Sequence, residues 1–369
     1  MELLIQGLND LLGQALPEWL VVLLGIAIVI TFVLFFPPLV FMIMTWLLRR
    51  MLGRVADRFG ANRVGIGPFN EKRTRQRWPL WGLMQPIADG VKMFTKEDII
   101  PSKGDKWLHR IAPIAAIVPA FLVFAVIPIG KDLVAVDLNV GVLYIVAVSS
   151  LFSLALLVAG WSSNNKYSLL GALRTAVQMI SYEVPMVLSL LIPVLFAGSL
   201  QLSKIIEGQE AWLGLRWYIF YFPVGTVAFV TFFIAALSEL NQTPFDLPEA
   251  DSEIVAGYQT EYSGMKFALF YMGEFVNMFL TCGLATILFL GGWQGPGVQL
   301  GGVLGYLFSV FWFFFKTFGM YCLLIWIRGT WPRLRVDQLM SFAWKRLVPI
   351  TLGNVLVTGL LVILVELLL

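Results

Sequence analysis

Residues 19–47 read WLVVLLGIAIVITFVLFFPPLVFMIMTWL, 29 positions without one charged side chain. A run of about 20 apolar residues crosses the hydrocarbon core of a bilayer as a helix, so this segment decides the solvent in which the chain folds. Its prolines, Pro37 and Pro38, each remove a backbone donor and are expected to kink the helix unless packing satisfies the freed carbonyls. Seven further apolar stretches follow, near 111–130, 140–160, 177–200, 217–239, 266–290, 306–327 and 347–368. The expected fold is an all-α polytopic membrane protein of eight transmembrane helices, with amphipathic helices in its cytoplasmic loops.

Composition points the same way. Of 369 residues, 59% are hydrophobic and 13% charged, about half the charged share of a soluble domain, which excludes a soluble enzyme. Cys282, Cys322 and His109 are the only cysteines and histidine, too few for an iron–sulfur cluster or a usual zinc site. His109 is expected at the interface, and the cysteines inside spans as small apolar residues. No GxGxxG follows a predicted strand and no P-loop pattern occurs, so no intrinsic cofactor, metal or catalytic residue is expected. The net charge of +3 gives no sign of nucleic-acid binding. Without repeats or low-complexity linkers, residues 1–369 read as a single integral membrane domain.

Lysine and arginine resist translocation, so their positions orient the spans. Of 26 such residues, 22 fall in four connections on one side, 48–110, 161–176, 240–265 (with Lys266 at its edge) and 328–346. These are the expected cytoplasmic loops, which leaves both termini on the other side. No Lys or Arg precedes Arg49, so the first stretch lacks the basic flank of a cleaved signal and is expected to remain as a span.

Two loops are chemically unusual. In the first, Leu80, Leu83, Ile87, Val91 and Phe94 recur at helical spacing among Asp89, Lys92 and Lys96, the pattern of an interfacial amphipathic helix. The basic run from Phe69 to Trp78 just before it reads as a solvated or headgroup-facing loop. In the third, six carboxylates lie between Glu239 and Glu261, with no Lys or Arg among them. If Pro248 opens a helix, Glu249 and Glu253 share a face, with Asp251 off it. Crowded like charges disfavour simultaneous ionisation, so some of these acids are expected to have raised pKa values and to hold and pass protons. Acids at a helix start also complement its dipole, but that accounts for Glu249 and Asp251 and not for six.

Glu183, Glu239, Glu274 and Lys316 lie within or at the edges of spans. Each costs about 2.5–3.5 kcal/mol near a helix centre and is expected to face the bundle interior. Pro185 frees the carbonyl of Ser181, which with Glu183 and the Tyr182 hydroxyl would form a polar pocket. A scaffolding pair of Glu274 with Lys316 is the alternative that needs no transport role.

The stretch Thr243-Pro244-Phe245-Asp246-Leu247-Pro248-Glu249-Ala250, followed by Ser252-Glu253, Val255-Ala256-Gly257-Tyr258 and Thr260-Glu261-Tyr262-Ser263-Gly264, resembles the signature of a known family. That family is the quinone-chamber membrane subunit of respiratory complex I, the proton-translocating NADH:quinone oxidoreductase (NADH dehydrogenase subunit 1 in mitochondria). Asn62-Arg63-Val64-Gly65, Gln85 to Gly90, Lys96-Glu97-Asp98, Gly160 to Gly171, Ile180 to Glu183 and Asp337-Gln338-Leu339-Met340 also fit, in family order, from Arg49 onward.

The resemblance implies a non-autonomous component of the oxidoreductase, in the bacterial inner membrane among lipids and neighbouring membrane subunits. Peripheral-arm subunits, holding FMN and iron–sulfur clusters, would sit at the cytoplasmic face. Quinone would enter laterally as substrate, and Arg49, Asp89, Lys92 and Phe245 are the implied quinone contacts. The acids matching the family's proton path are Glu183, Glu239, Asp246, Glu249, Asp251, Glu253, Glu261 and Glu274. There are departures: Leu48 stands where the family usually has an acid, Gln242 where it has arginine and Gln259 where it has histidine, and the segment 69–78 is inserted. The related subunit of a membrane-bound hydrogenase, or of a complex with another electron donor, ranks second. A stand-alone secondary transporter, marked by inverted repeats and paired broken helices, ranks third.

Overall fold

The computed structural model describes residues 18–61, 64, 82–210, 216–247, 251–300 and 302–368. Its helices are α1 (Glu18–Val55), α2 (Gln85–Thr95), α3 (Lys106–Phe124), α4 (Gly141–Ser162), α5 (Lys166–Ala197) and α6 (Leu202–Glu207). They continue as α7 (Val224–Glu239), α8 (Asp251–Ile254), α9 (Gly264–Phe289), α10 (Gly302–Thr330), α11 (Val336–Phe342) and α12 (Val348–Leu368). One turn of π-helix, Ala343–Leu347, joins the last two into a single apolar rod.

Seven helical segments among the described residues are long and apolar enough to cross a membrane. The remaining apolar stretch, 217–239, is α-helical only over the 16 residues of α7. At about 1.5 Å per residue that is roughly 24 Å, short of a 30 Å hydrocarbon core. The span boundaries also move. The second span, α3, starts at Lys106 and ends at Phe124, and α5 starts at Lys166, absorbing most of the expected loop 161–176. The reason is local: Asp105 and Asn165 cap the first turns, each accepting from backbone N–H groups just ahead. In α1 the helix runs unbroken through Pro37 and Pro38.

The core sits around α9. In its most apolar window 89% of residues are buried, against 11% for α1 and for the α11–α12 rod. An apolar helix covered all round is central, and one that bares leucine and isoleucine faces lipid. Helix α9 packs on α3, α10 and α1, and α5 packs on α4, α7 and α12. This leaves the chain between α7 and α9, the acidic loop, to pass across one end of the bundle.

Candidate functional site

The loop leaves α7 through Asn241, whose φ of +50° is left-handed, a conformation asparagine tolerates better than most residues. The chain then turns back and is clamped from several helices. Buried Gln178 of α5 donates through Nε2 to the carbonyls of Ser238 at 2.8 Å and Phe245 at 2.7 Å. Leu334 N–H donates to Pro244 O at 3.0 Å, which ties the segment after α10 to the same loop. Farther on, Asn165 donates to Glu261 at 2.7 Å and Ser168 to Tyr258 O at 3.3 Å. Gly171 lets α5 approach closely: a Cβ there would meet Gly257 Cα at 2.7 Å.

These contacts supply the counter-charges that the loop itself lacks. Glu253 pairs with Arg174 at 2.5 Å and lies 3.9 Å from Arg333. The hydrogen bond and charge of Arg174 hold its carboxyl below the usual carboxylate range. At Glu253 the raised pKa expected from crowding is therefore replaced by a lowered one, because the partner comes from a helix 79 positions away. Tyr262, buried and in contact with Ser162 at 3.1 Å, has its hydroxyl pushed up to about 12 by burial. Asp246 is half-buried. Glu249 lies outside the described residues, as does the side chain of Asp251, so the expected Glu249–Glu253 face is not seen; the helix described there runs from Asp251 to Ile254.

Inside the bundle, Glu274 is 5% exposed and accepts from Gln242 Nε2 at 2.9 Å. The alternative scaffolding pair with Lys316 is not what holds that lysine. Lys316 Nζ instead donates to the carbonyls of Leu290, Gly292 and Gln294 at 2.7, 3.2 and 2.6 Å. The ammonium thus meets the C-cap carbonyl of α9 at Leu290, where the helix dipole favours a cation, and two carbonyls of the turn that follows. Glu239 Oε2 is buried without a hydrogen-bond partner among the described residues. Glu183 on α5 lies within electrostatic reach of it. Beside Glu239 is a void of about 20 Å³ lined also by Ser149, Asn277 and Thr281, room for about one water. The Tyr182 hydroxyl donates to Leu339 O at 2.9 Å, so it does not build the polar pocket expected around Glu183.

At another corner, Arg49 at the end of α1 pairs with Asp89 on α2 at 2.5 Å, and Gln85 donates to the same carboxylate at 3.0 Å. Lys92 is exposed one turn along α2. The helix starts at Gln85 because Pro86 suits a first turn, later than the periodicity from Leu80 implied. Its Ile87, Val91 and Phe94 are exposed, an apolar face without a partner among the described residues. Phe245 is not at this corner. It is buried against Tyr182, ring centroids 5.5 Å apart, and lines an apolar cavity of about 860 Å³ between α7, α10 and α11.

Other expectations need correction or fall outside. His109 is fully buried, not interfacial, because its ring stacks on Tyr262 at 4.1 Å. Leu48 is 5% exposed within the core, where an apolar side chain fits. Gln259 is buried and donates to the Tyr258 hydroxyl at 2.9 Å. The basic run 69–78 lies outside the described residues. Sequence reasoning missed Gln178, Arg174 and Arg328. Arg328 Nη1 donates to Gln242 Oε1, so a guanidinium reaches this corner although position 242 itself carries none. None of the three has a local signature; only the helical reach of α5 below Lys166 could have pointed to Arg174 and Gln178.

The likeness to known proteins runs through nearly all of these elements. The family model described as NADH dehydrogenase matches residues 26–359. The H subunit of an NADH-quinone oxidoreductase from Dehalococcoides mccartyi (strain CBDB1) is 48% identical over 318 residues, 86% of this chain and 81% of its own. A second such protein, named as H subunit number 2 of NADH-quinone oxidoreductase in Geobacter metallireducens, is 43% identical over 373 residues, covering 96% of this chain and 99% of its own. The H subunit of NADH-quinone oxidoreductase from Bacillus cereus (strain B4264) is 48% identical over 313 residues, 85% of this chain and 86% of its own.

Proposed function

Because this chain belongs to the NADH dehydrogenase family and is a membrane subunit of an NADH-quinone oxidoreductase, we propose that it forms the floor and entrance of the quinone cavity. In this reading it also relays quinone chemistry to proton pumping through its interior carboxylates. The observation that carries the relay is the run of acids from loop to bundle. Glu274 is joined to the loop through Gln242, and Glu239, within electrostatic reach of Glu183, adjoins a void lined by Ser149 and Asn277. Buried carboxylates within reach of one another and of a small polar void can exchange protons.

The entrance is the corner of α1 and α2. The Arg49–Asp89 pair, with Lys92, offers a polar head-group site, and the bare face of Ile87, Val91 and Phe94 suits an isoprenoid tail or lipid. Phe245 contributes from the far side of the loop. The chain acts as one integral membrane domain in the bacterial inner membrane, with both termini outside. Its four cytoplasmic loops meet the peripheral-arm subunits that carry FMN and iron–sulfur clusters, and its other faces meet membrane subunits and lipids. The chain's own part is to bind and orient quinone, exclude water and hold protons at Glu183, Glu239 and Glu274.

The test is proton translocation per electron by the assembled complex in proteoliposomes. Glu239→Gln and Glu183→Gln keep size and hydrogen bonding but cannot take up a proton. They are expected to lower quinone-coupled pumping at least tenfold with assembly intact, while Asp132→Asn, in a loop on the opposite side, does not. Normal pumped charge in both glutamine variants would sink the relay.

A further inference from the structure

We propose that Arg328 is a positioning residue for Glu274, acting through the side-chain amide of Gln242. Three buried or half-buried groups from three different elements meet here. Gln242 of the acidic loop is 1% exposed and Glu274 of α9 is 5% exposed. Arg328 Nη1, in the last turn of α10, donates to Gln242 Oε1. The Gln242 amide nitrogen donates to Glu274 Oε1 at 2.9 Å and to Leu240 O at 3.0 Å.

A primary amide has one oxygen and two N–H groups, and a guanidinium can only donate. The oxygen must therefore face Arg328, and both N–H groups are committed to oxygens. Turning the amide over would set N–H against N–H at Arg328 and oxygen against oxygen at Glu274. Only one orientation satisfies all three neighbours, so the link has a direction: guanidinium, amide, carboxylate. In a low-dielectric interior each bond of such a series polarises the next. The Arg328 charge thereby strengthens the N–H that holds Glu274, and sets the rotamer and the hydrogen-bond strength of that carboxylate. A purely mechanical clamp would need none of this: the bond from Gln178 to Phe245 O and that from Leu334 to Pro244 O already pin the loop.

The inference rests on the reading of Glu274 as a proton-path residue. The experiment uses the assembled complex in proteoliposomes, with protons translocated per electron and the carboxyl bands of the redox-induced infrared difference spectrum as readouts. Glu274→Gln is expected to lower pumping and to remove one carboxyl band. Gln242→Leu and Arg328→Gln are each expected to shift that same band and to lower pumping at least twofold. The double variant is expected to be no worse than the more severe single one, because both interrupt one link. Gln242→Arg in the Arg328→Gln background returns a guanidinium to the carboxylate and is expected to restore the band. Additive losses, or an unmoved band in Gln242→Leu, overturn the link. Should Arg328→Gln fail to assemble, the band in Gln242→Leu alone decides. Normal pumping in Glu274→Gln removes the proton-path reading of Glu274 and this inference with it; loss of pumping there with both link variants unchanged removes only the inference.

Discussion

The guanidinium of Arg174 lies 2.5 Å from the carboxylate of Glu253 and joins α5 to the acidic loop. Because Arg174 depresses the Glu253 pKa, the pair stabilises the loop above the ordinary glutamate value of about 4.3 and loses that effect as pH falls through the lower folded value. With Glu253 about half exposed, the pair contributes about 0.2–1 kcal/mol. Hydrogen exchange across 251–263, corrected for intrinsic rates, is expected to stay level from neutral pH down to about 5 and to quicken only below about 4. In Arg174→Gln, where the carboxyl loses most of its shift, exchange is expected to be faster already at neutral pH and to change little as the pH falls. Identical profiles in the two proteins would rule the pair out as a determinant.

Lys316 satisfies three carbonyls at the C-cap of α9 and in the turn after it, and lies 4.8 Å from the centre of the Trp217 ring. Removing it leaves buried acceptors unmet, at about 3 kcal/mol or more. Lys316→Met is expected to lower the melting temperature of the purified complex. If Lys316 and Glu274 are energetically independent, adding Glu274→Gln makes the two losses sum; strong non-additivity would mean that they are coupled after all.

Gly171 faces the backbone of Gly257, and backbone cannot move aside as a side-chain tip can. Gly171→Ala is expected to displace the turn Gly257–Gln259, to cost about 1–3 kcal/mol and to reduce quinone reductase activity. Gly353→Ala, where nothing lies within 4 Å of the added carbon, serves as the comparison. Equal melting temperatures for the two variants would contradict the contact.

Topology is open to labelling. A cysteine at Ser102 is expected to react with a membrane-impermeant maleimide only from the cytoplasmic side, and one at Gln299 only from outside. Reaction of both from one side would break the arrangement drawn from the lysine and arginine positions.

Hydropathy made the spans legible because burial in lipid demands apolar runs whatever the packing. It failed at their ends. Lys166 and Arg174 look like loop residues to a hydropathy window, yet they lie in α5, where the helix is held by its Asn165 cap and by packing rather than by lipid. The interior acids were legible as types, since a carboxylate in an apolar run stands out. Their partners were not: Arg174, Gln242 and Arg328 are 79, 32 and 86 positions from the groups they bind, and the carbonyls around Lys316 have no sequence signature at all.

The bond between Arg328 and Gln242, and that between Leu334 and Pro244, carry a consequence for biogenesis. Arg328 is synthesised 86 residues after Gln242, which at about 5–20 residues per second is roughly 4–17 s of translation. Throughout that interval the acidic loop has been made while the helix that fastens it has not. The ribosome must finish α10 and reach Leu334 before either bond can form, so these two fastenings of the loop belong to the last part of synthesis and not to the moment the loop itself is made.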